Sequence, residues 1–147
     1  MSQLSVSVLV KAPLEKVWNA FWQPEAIIHW SHASDDWHCP KAIGEEPKVD
    51  GIFINTFAAK DGSFQFDFTA KYDEVVPMKK LVYTIGEMKE YFLDAGRKVE
   101  VTFEQKENGG IRVTEVFDAE EIHSYEIQIA GWQAILDNFR DYTESAL

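Results

Sequence analysis

Few residues in this chain could do chemistry, and Glu115 is the first of them. It stands in phase with Ile111, Val113 and Phe117, on what should be the inward face of a strand. A carboxylate aimed into apolar space is costly unless paired, and its pKa rises. That is how a general acid or base is made. Two other arrangements would explain the same position: a neighbouring cation that pairs with it, or a bulge that turns it to solvent. Asn55, in phase with Phe53 and Phe57, is a second polar group on an inward face. His29 is the third candidate, a polar group near a pocket entrance and an alternative acid or base.

Other constellations fall away on spacing. His29, His32, His38 and Cys39 are the residues with zinc-ligating chemistry, but structural sites use separated pairs such as C-x2-C. His38 and Cys39 are adjacent, so in an extended segment they point to opposite faces, and the metal expectation is none. No Gly-x-Ser-x-Gly is present, and Cys39 has no activating sequence context. Gly109-Gly110 is a turn rather than a phosphate loop, and no cofactor is implied. Asp35-Asp36 and Glu45-Glu46 read as solvated loop charges.

The elements that must position Glu115, Asn55 and His29 follow from periodicity. Leu4, Val6, Val8 and Val10 alternate with polar or outward residues as a half-buried strand. Pro13 then suits a first helical position, and Leu14, Val17, Trp18 and Phe21 fall at helical spacing. Pro24 stops that helix, and residues 25–30 form a second short one with Ile27, Ile28 and Trp30 partly buried. Residues 31–49 read as a loop with one short strand over 37–43. Strands 52–59 and 63–72 flank Lys60-Asp61-Gly62, a hairpin turn by its Asp-Gly signal. Leu81, Tyr83 and Ile85 mark the next strand, and Gly86 to Gly96 a connection. Strands around Val99 to Phe103 and Ile111 to Phe117 follow, joined by Asn108-Gly109-Gly110.

Residues 123–147 close the chain as a long helix. Tyr125, Ile129, Trp132, Leu136, Phe139, Thr143 and Ala146 make one face, while Glu126, Gln133, Asp137, Arg140, Asp141 and Glu144 make the other. Ser124 is the expected N-cap, and Glu126 suits the positive end of the helix dipole. Gly131 costs up to ~1 kcal/mol against Ala within a helix, which close packing on a bulky ring would justify. At ~1.5 Å per residue the helix spans roughly 33 Å and needs a large apolar partner. An antiparallel sheet with one apolar face supplies it, and this helix is the element able to cover that face.

Composition bounds the function. The chain has 147 residues, enough for one domain over 1–147, with no linker-like stretch. Net charge is −11 with no Lys/Arg cluster, which speaks against nucleic acid and anionic membrane surfaces as partners. One cysteine excludes an internal disulfide. Neither a signal-peptide pattern nor an apolar run of membrane-spanning length is seen, so the expectation is a cytoplasmic protein without membrane insertion. Free sheet edges leave monomer and homodimer both open. Aromatics at 14% call either for a bulky core or for walls around a space.

Several stretches resemble a known family. They are Ala12-Pro13 with Glu15-Lys16-Val17-Trp18, Pro24-Glu25 with His29-Trp30, Asp50-Gly51, and Asp73-Glu74-Val75-Val76-Pro77 before Leu81-Val82-Tyr83-Thr84. Val113-Thr114-Glu115-Val116-Phe117 and Gly131-Trp132-Gln133-Ala134-Ile135-Leu136-Asp137-Asn138-Phe139 complete the pattern in order. The chain resembles the bacterial branch of the AHSA-like family, named for an activator of a heat-shock chaperone ATPase, within the START/Bet v 1-like (SRPBCC) superfamily. That resemblance implies an α+β helix-grip fold: a curved antiparallel β-sheet wrapped around a long C-terminal helix, with two short helices after strand 1. It also implies a cavity between them that takes a small hydrophobic or aromatic molecule, lipid-, flavonoid- or polyketide-like.

On that expectation Trp30, Phe53, Asn55, Phe57, Phe64 and Phe66 line the ligand site. Phe68, Tyr83, Phe103, Trp132, Leu136 and Phe139 complete it. Rings that merely fill a core are the competing account. The reading is of a non-catalytic binding domain, with a cyclase or hydrolase using Glu115 or His29 as alternative. The family name adds a stress-response, chaperone-regulating role. The eukaryotic activator carries an additional N-terminal domain that helps engage the chaperone, whereas this chain begins directly with its first strand, so that role ranks last.

Overall fold

The computed structural model describes residues 2–145. β1 (Gln3–Val10) leads into α1 (Leu14–Trp22) and α2 (Pro24–Trp30). Then come β2 (Trp37–Ile43), β3 (Ile52–Ala59), β4 (Gln65–Val76), β5 (Lys80–Ile85), β6 (Lys98–Gln105) and β7 (Ile111–Asp118). α3 (Tyr125–Ser145) ends the described chain. Ala146, placed by its spacing on the buried face of the last helix, lies outside the described residues. The strands form one antiparallel sheet in the order β1-β7-β6-β5-β4-β3-β2, so β2 to β7 is a meander and β1 closes on its last strand. The architecture is the α+β helix grip, with the sheet curling around α3.

Pro13 is the N-cap of α1 rather than its first helical residue, and Pro24 does more than stop that helix. It occupies the first turn of α2, where a missing N–H costs nothing. At the hairpin turn Gly62 takes a positive φ of 80°, and Asp61 Oδ1 accepts a 2.8 Å hydrogen bond from the Ser63 N–H. That turn keeps residues 63–64 out of the ladder, so β4 begins two residues later than its sequence pattern suggests. β4 also runs on to Val76, past an irregularity between Tyr72 and Glu74.

α3 begins as expected. Ser124 Oγ accepts the Ile127 N–H at 3.1 Å, the side-chain cap that a helix start requires. Its buried stripe is rotated from the expected one at the N-terminal end, however. Tyr125 and Ile129 are exposed, and Gln128 is buried in their place. Gln128 Nε2 donates to the carbonyls of Glu120 and His123, both at 2.9 Å, and its Oε1 accepts the Glu120 N–H. This knot fixes the segment between β7 and α3. Farther along, Gln133 is half-buried rather than solvated, because its Nε2 reaches the Ser7 carbonyl on β1 at 3.1 Å.

Candidate functional site

A cavity of about 420 Å³ lies between the sheet and the N-terminal half of α3. Its floor is the inward face of the strands: Phe53, Asn55 and Phe57 of β3, Phe66, Phe68 and Tyr72 of β4, Leu81 and Tyr83 of β5, and Glu115 of β7. Its roof is Ile127, Gln128, Gly131, Trp132 and Ile135 of α3. One end is walled by Phe21 and Trp22 of α1 with Ile27 and Trp30 of α2. Met88, Tyr91, Leu93 and Arg97 from the β5–β6 connection, with Glu120 and His123, form another side.

Alternation explains the floor. On β4 the inward set is Phe66, Phe68, Ala70 and Tyr72, and register places Phe57 opposite Phe66, Asn55 opposite Phe68 and Tyr83 opposite Tyr72. Most of these rings meet at angles, Phe53 and Phe68 being stacked at 6.4 Å. Phe53 contacts Tyr72 at 5.2 Å and Tyr83 at 5.1 Å between centroids, and Phe57 meets Phe66 at 5.4 Å. Trp132 is fixed from the roof side by a parallel stack on Phe117, 3.9 Å between centroids and 6° between planes.

Of the sequence-derived site residues, Trp30, Phe53, Asn55, Phe57, Phe66, Phe68, Tyr83, Glu115 and Trp132 stand around this cavity. Five do not, each for a packing reason. Phe64 sits outside the strand at the sheet rim, 37% exposed, against Trp37, Phe66 and Tyr91. Phe103 is covered by Trp18 and Phe21 of α1, edge-on at 5.2 and 5.5 Å. Leu136 and Phe139 are fully buried in the core, where Phe139 meets Phe21 at 5.4 Å and Trp30 at 5.1 Å. His29 is exposed and stacks on Tyr142 at 5.4 Å, because α2 turns Ala26, Ile27 and Trp30 inward and so turns His29 outward. His29 is therefore no cavity acid or base. Gly131 does not seat a ring either: a Cβ there would meet nothing within 4 Å.

Glu115 is buried, at 8% exposed, and burial pushes its carboxyl up to about 8. Neither of the other accounts of its position applies among the described residues. Val6 and Val101 flank it in regular ladders without a bulge, and no cation lowers its pKa. Burial also raises Tyr72 and Tyr83, and the nearby Glu115 charge raises Tyr83 further. Asn55 Oδ1 is buried without a hydrogen-bond partner among the described residues. On the other side, Arg97 Nη2 reaches Met88 Sδ at 3.5 Å while its Nε is buried without a partner, and burial lowers its pKa. Glu120 accepts from the His123 N–H at 2.6 Å and pairs with its Nδ1 at 2.9 Å. No group of three His, Cys, Asp or Glu side chains is placed to hold a metal ion among the described residues.

Sequence reasoning missed Tyr72 and Leu81, although each shares the alternation phase of rings that it did place. Arg97 and Gln128 carry no local signal, since neither belongs to an apolar period.

A family model described as "Activator of Hsp90 ATPase homolog 1-like protein" matches residues 11–144. The chain is similar to the solution structure of an AHSA1-like protein from Aeromonas hydrophila, with 39% identity over 99% of this chain and 94% of that one and a TM-score of 0.85. It is also similar to a solution structure from Cytophaga hutchinsonii, with 42% identity over 97% and 92% of the two chains and a TM-score of 0.77. A crystal structure from Chromobacterium violaceum shares the fold at 22% identity, over 97% and 96% of the chains, with a TM-score of 0.84. No curated protein matches the sequence.

Proposed function

The chain belongs to the Activator of Hsp90 ATPase homolog 1-like family, and from that premise we propose that it binds a small hydrophobic or aromatic molecule between sheet and C-terminal helix. The observation that carries this reading is the cavity of about 420 Å³, walled by rings and supplied with a few polar groups. That volume lies in the range of small-molecule sites, and apolar walls with sparse polar groups are their usual makeup. Burial of the ligand supplies affinity at roughly 25 cal/mol per Å² of apolar area. The polar groups Asn55, Glu115, Tyr72 and Tyr83 set orientation.

A thermal-shift series with dodecanol, naringenin and 1,8-dihydroxyanthraquinone tests the reading. A ligand at a hundred times its Kd adds about 2.7 kcal/mol, a midpoint rise on the order of 5 °C or more for a chain of this size. Absence of a rise with all of them would count against the reading.

One observation favours a second account, an enzyme of the cyclase or hydrolase kind. A buried carboxyl titrating near pH 8 is poised for proton transfer under physiological conditions. On this account Glu115→Gln abolishes turnover of a bound substrate while leaving its affinity nearly intact. A variant that still turns over would remove Glu115 as the acid.

A further inference from the structure

Among the described residues, four buried side-chain polar atoms have no hydrogen-bond partner: Trp22 Nε1, Asn55 Oδ1, Arg97 Nε and Thr143 Oγ1. Three of these residues, Trp22, Asn55 and Arg97, line the cavity. An unmet buried polar atom costs its desolvation, and the cost is largest for a charged group. Arg97 is the charged member of the three, and it is the one Lys or Arg among the residues lining the cavity. Met or Leu would complete this wall beside Met88, Tyr91 and Leu93 at no polar cost, so the guanidinium needs an account of its own.

Its surroundings show what it lacks. The backbone is held where β5 ends and β6 begins: the Arg97 carbonyl accepts the Ile85 N–H at 2.8 Å, and the Gly96 N–H donates to the Ile85 carbonyl at 2.9 Å. Nε and Nη2 make up one edge of the guanidinium fork. Nε donates to nothing, and Nη2 donates to Met88 Sδ at 3.5 Å, a thioether and so a weak acceptor. Two acids, Glu120 and Asp118, act on Arg97 through their charge, but both are turned to other donors. Glu120 accepts the His123 N–H at 2.6 Å and pairs with its Nδ1 at 2.9 Å, and Asp118 Oδ2 accepts the Lys98 N–H at 2.9 Å. Among the described residues, then, both donors of this edge lack an oxygen partner.

That edge matches one functional group in particular. A carboxylate presents two oxygens at the spacing of the fork and takes two parallel, charge-assisted hydrogen bonds from it. A phosphate monoester carries more negative charge than one cation balances, which is costly between apolar walls. An ammonium would be repelled, and a neutral amide would supply an acceptor without a counter-charge. Resting on the ligand-binding reading above, we propose that Arg97 anchors the carboxylate of a hydrophobic monocarboxylic acid. The polar end lies on the β5–β6 side of the cavity, and the hydrocarbon body lies among the rings beneath α3.

Two probes of nearly equal shape test this by calorimetric titration at pH 7: 2-naphthoate, which carries the charge, and 2-naphthamide, which does not. The wild-type protein binds the carboxylate at least tenfold tighter. Arg97→Met reduces that preference to less than threefold while affinity for the amide stays within threefold. Arg97→Lys, which keeps the charge and loses the two-pronged edge, gives an intermediate preference. In the wild-type protein the Arg97 Nε–H proton resonance moves downfield with 2-naphthoate and not with 2-naphthamide, a readout that holds even if the Met variant fails to fold. Gly131→Phe, which places a ring in the cavity, weakens both probes together. Equal binding of the two probes by the wild type, or a preference that survives Arg97→Met, overturns the carboxylate subsite and leaves the cavity reading standing. Binding of neither probe also overturns the subsite, and the cavity reading falls with it only if the neutral compounds of the thermal-shift series are silent too.

Discussion

α3 meets the sheet in two different ways along its length. Toward its C-terminus, Leu136, Phe139 and Thr143 are at most 1% exposed, and Phe139 is held edge-on by Phe21 and Trp30. Toward its N-terminus, Gly131, Trp132 and Ile135 stand over the cavity and remain half-buried. The helix and the sheet are continuous across both halves. What differs is the pair of short helices after β1: α1 contacts α3 and β6, and α2 contacts α3 and β2. Their rings fill one end of the grip and stop, leaving Trp22, Ile27 and Trp30 as the wall of the other. Filling thus supplies stability in one half, and the absence of filling leaves the cavity in the other.

The sharpest break of this contrast is a matched pair of truncations. Phe139→Ala removes a ring packed on every side and should cost about 3–5 kcal/mol. Phe53→Ala removes a half-buried ring already facing a cavity and should cost about 1–2 kcal/mol, since less area leaves its neighbours. Urea unfolding midpoints of the two variants measure the difference, and equal losses would erase the distinction between the halves.

Glu115 offers the next test, through pH. Its folded pKa lies above the 4.5 of an ordinary glutamate, so the folded state binds more protons than the unfolded one between 4.5 and about 8. The stability linked to it is therefore full below about 4.5 and lost as pH rises through about 8. Glu115→Gln removes that loss. At ~1.4 kcal/mol per pKa unit between 4.5 and about 8, the variant should exceed the wild type by on the order of 5 kcal/mol at pH 9 and by little at pH 4. Parallel stability–pH curves would show that the carboxyl is not held in a dry site.

The smallest effect belongs to Gly131. A Cβ there meets open space, so Gly131→Ala should stabilise the helix by up to ~1 kcal/mol through propensity alone. Gly131→Phe should instead occupy the cavity, lowering affinity for any ligand while the thermal midpoint holds or rises. A destabilised Phe variant would mean that the roof sits closer to the floor than the cavity implies.

The strand order was legible because alternation is a local signal, and the same alternation put Glu115, Asn55, Phe53 and Phe68 on the inward face. The division into filled and open halves was not, because it depends on where α1 and α2 place their rings after folding. Phe103, Leu136 and Phe139 have the same periodic signature as the rings of the cavity, and only Trp18, Phe21 and Trp30 packed against them tell the two groups apart. His29 went astray for a related reason. A seven-residue helix is too short for its pattern to fix a rotation, and the inward turn of Ile27 and Trp30 carried His29 to the outside. Arg97 lies in an irregular connection, where no period exists to read.

Trp132, stacked flat on Phe117, has one more consequence, and it concerns light. Trp22, Trp30 and Trp132 border the cavity, whereas Trp18 packs on Phe103 and Trp37 on Phe64 and Phe66. A molecule entering that space would come within a few ångströms of the protein's own fluorophores, and one that absorbs in the near ultraviolet would drain their emission. Occupancy of the grip is in this sense written into the intrinsic spectrum of the chain, where it can be followed without a label and on the timescale of entry itself.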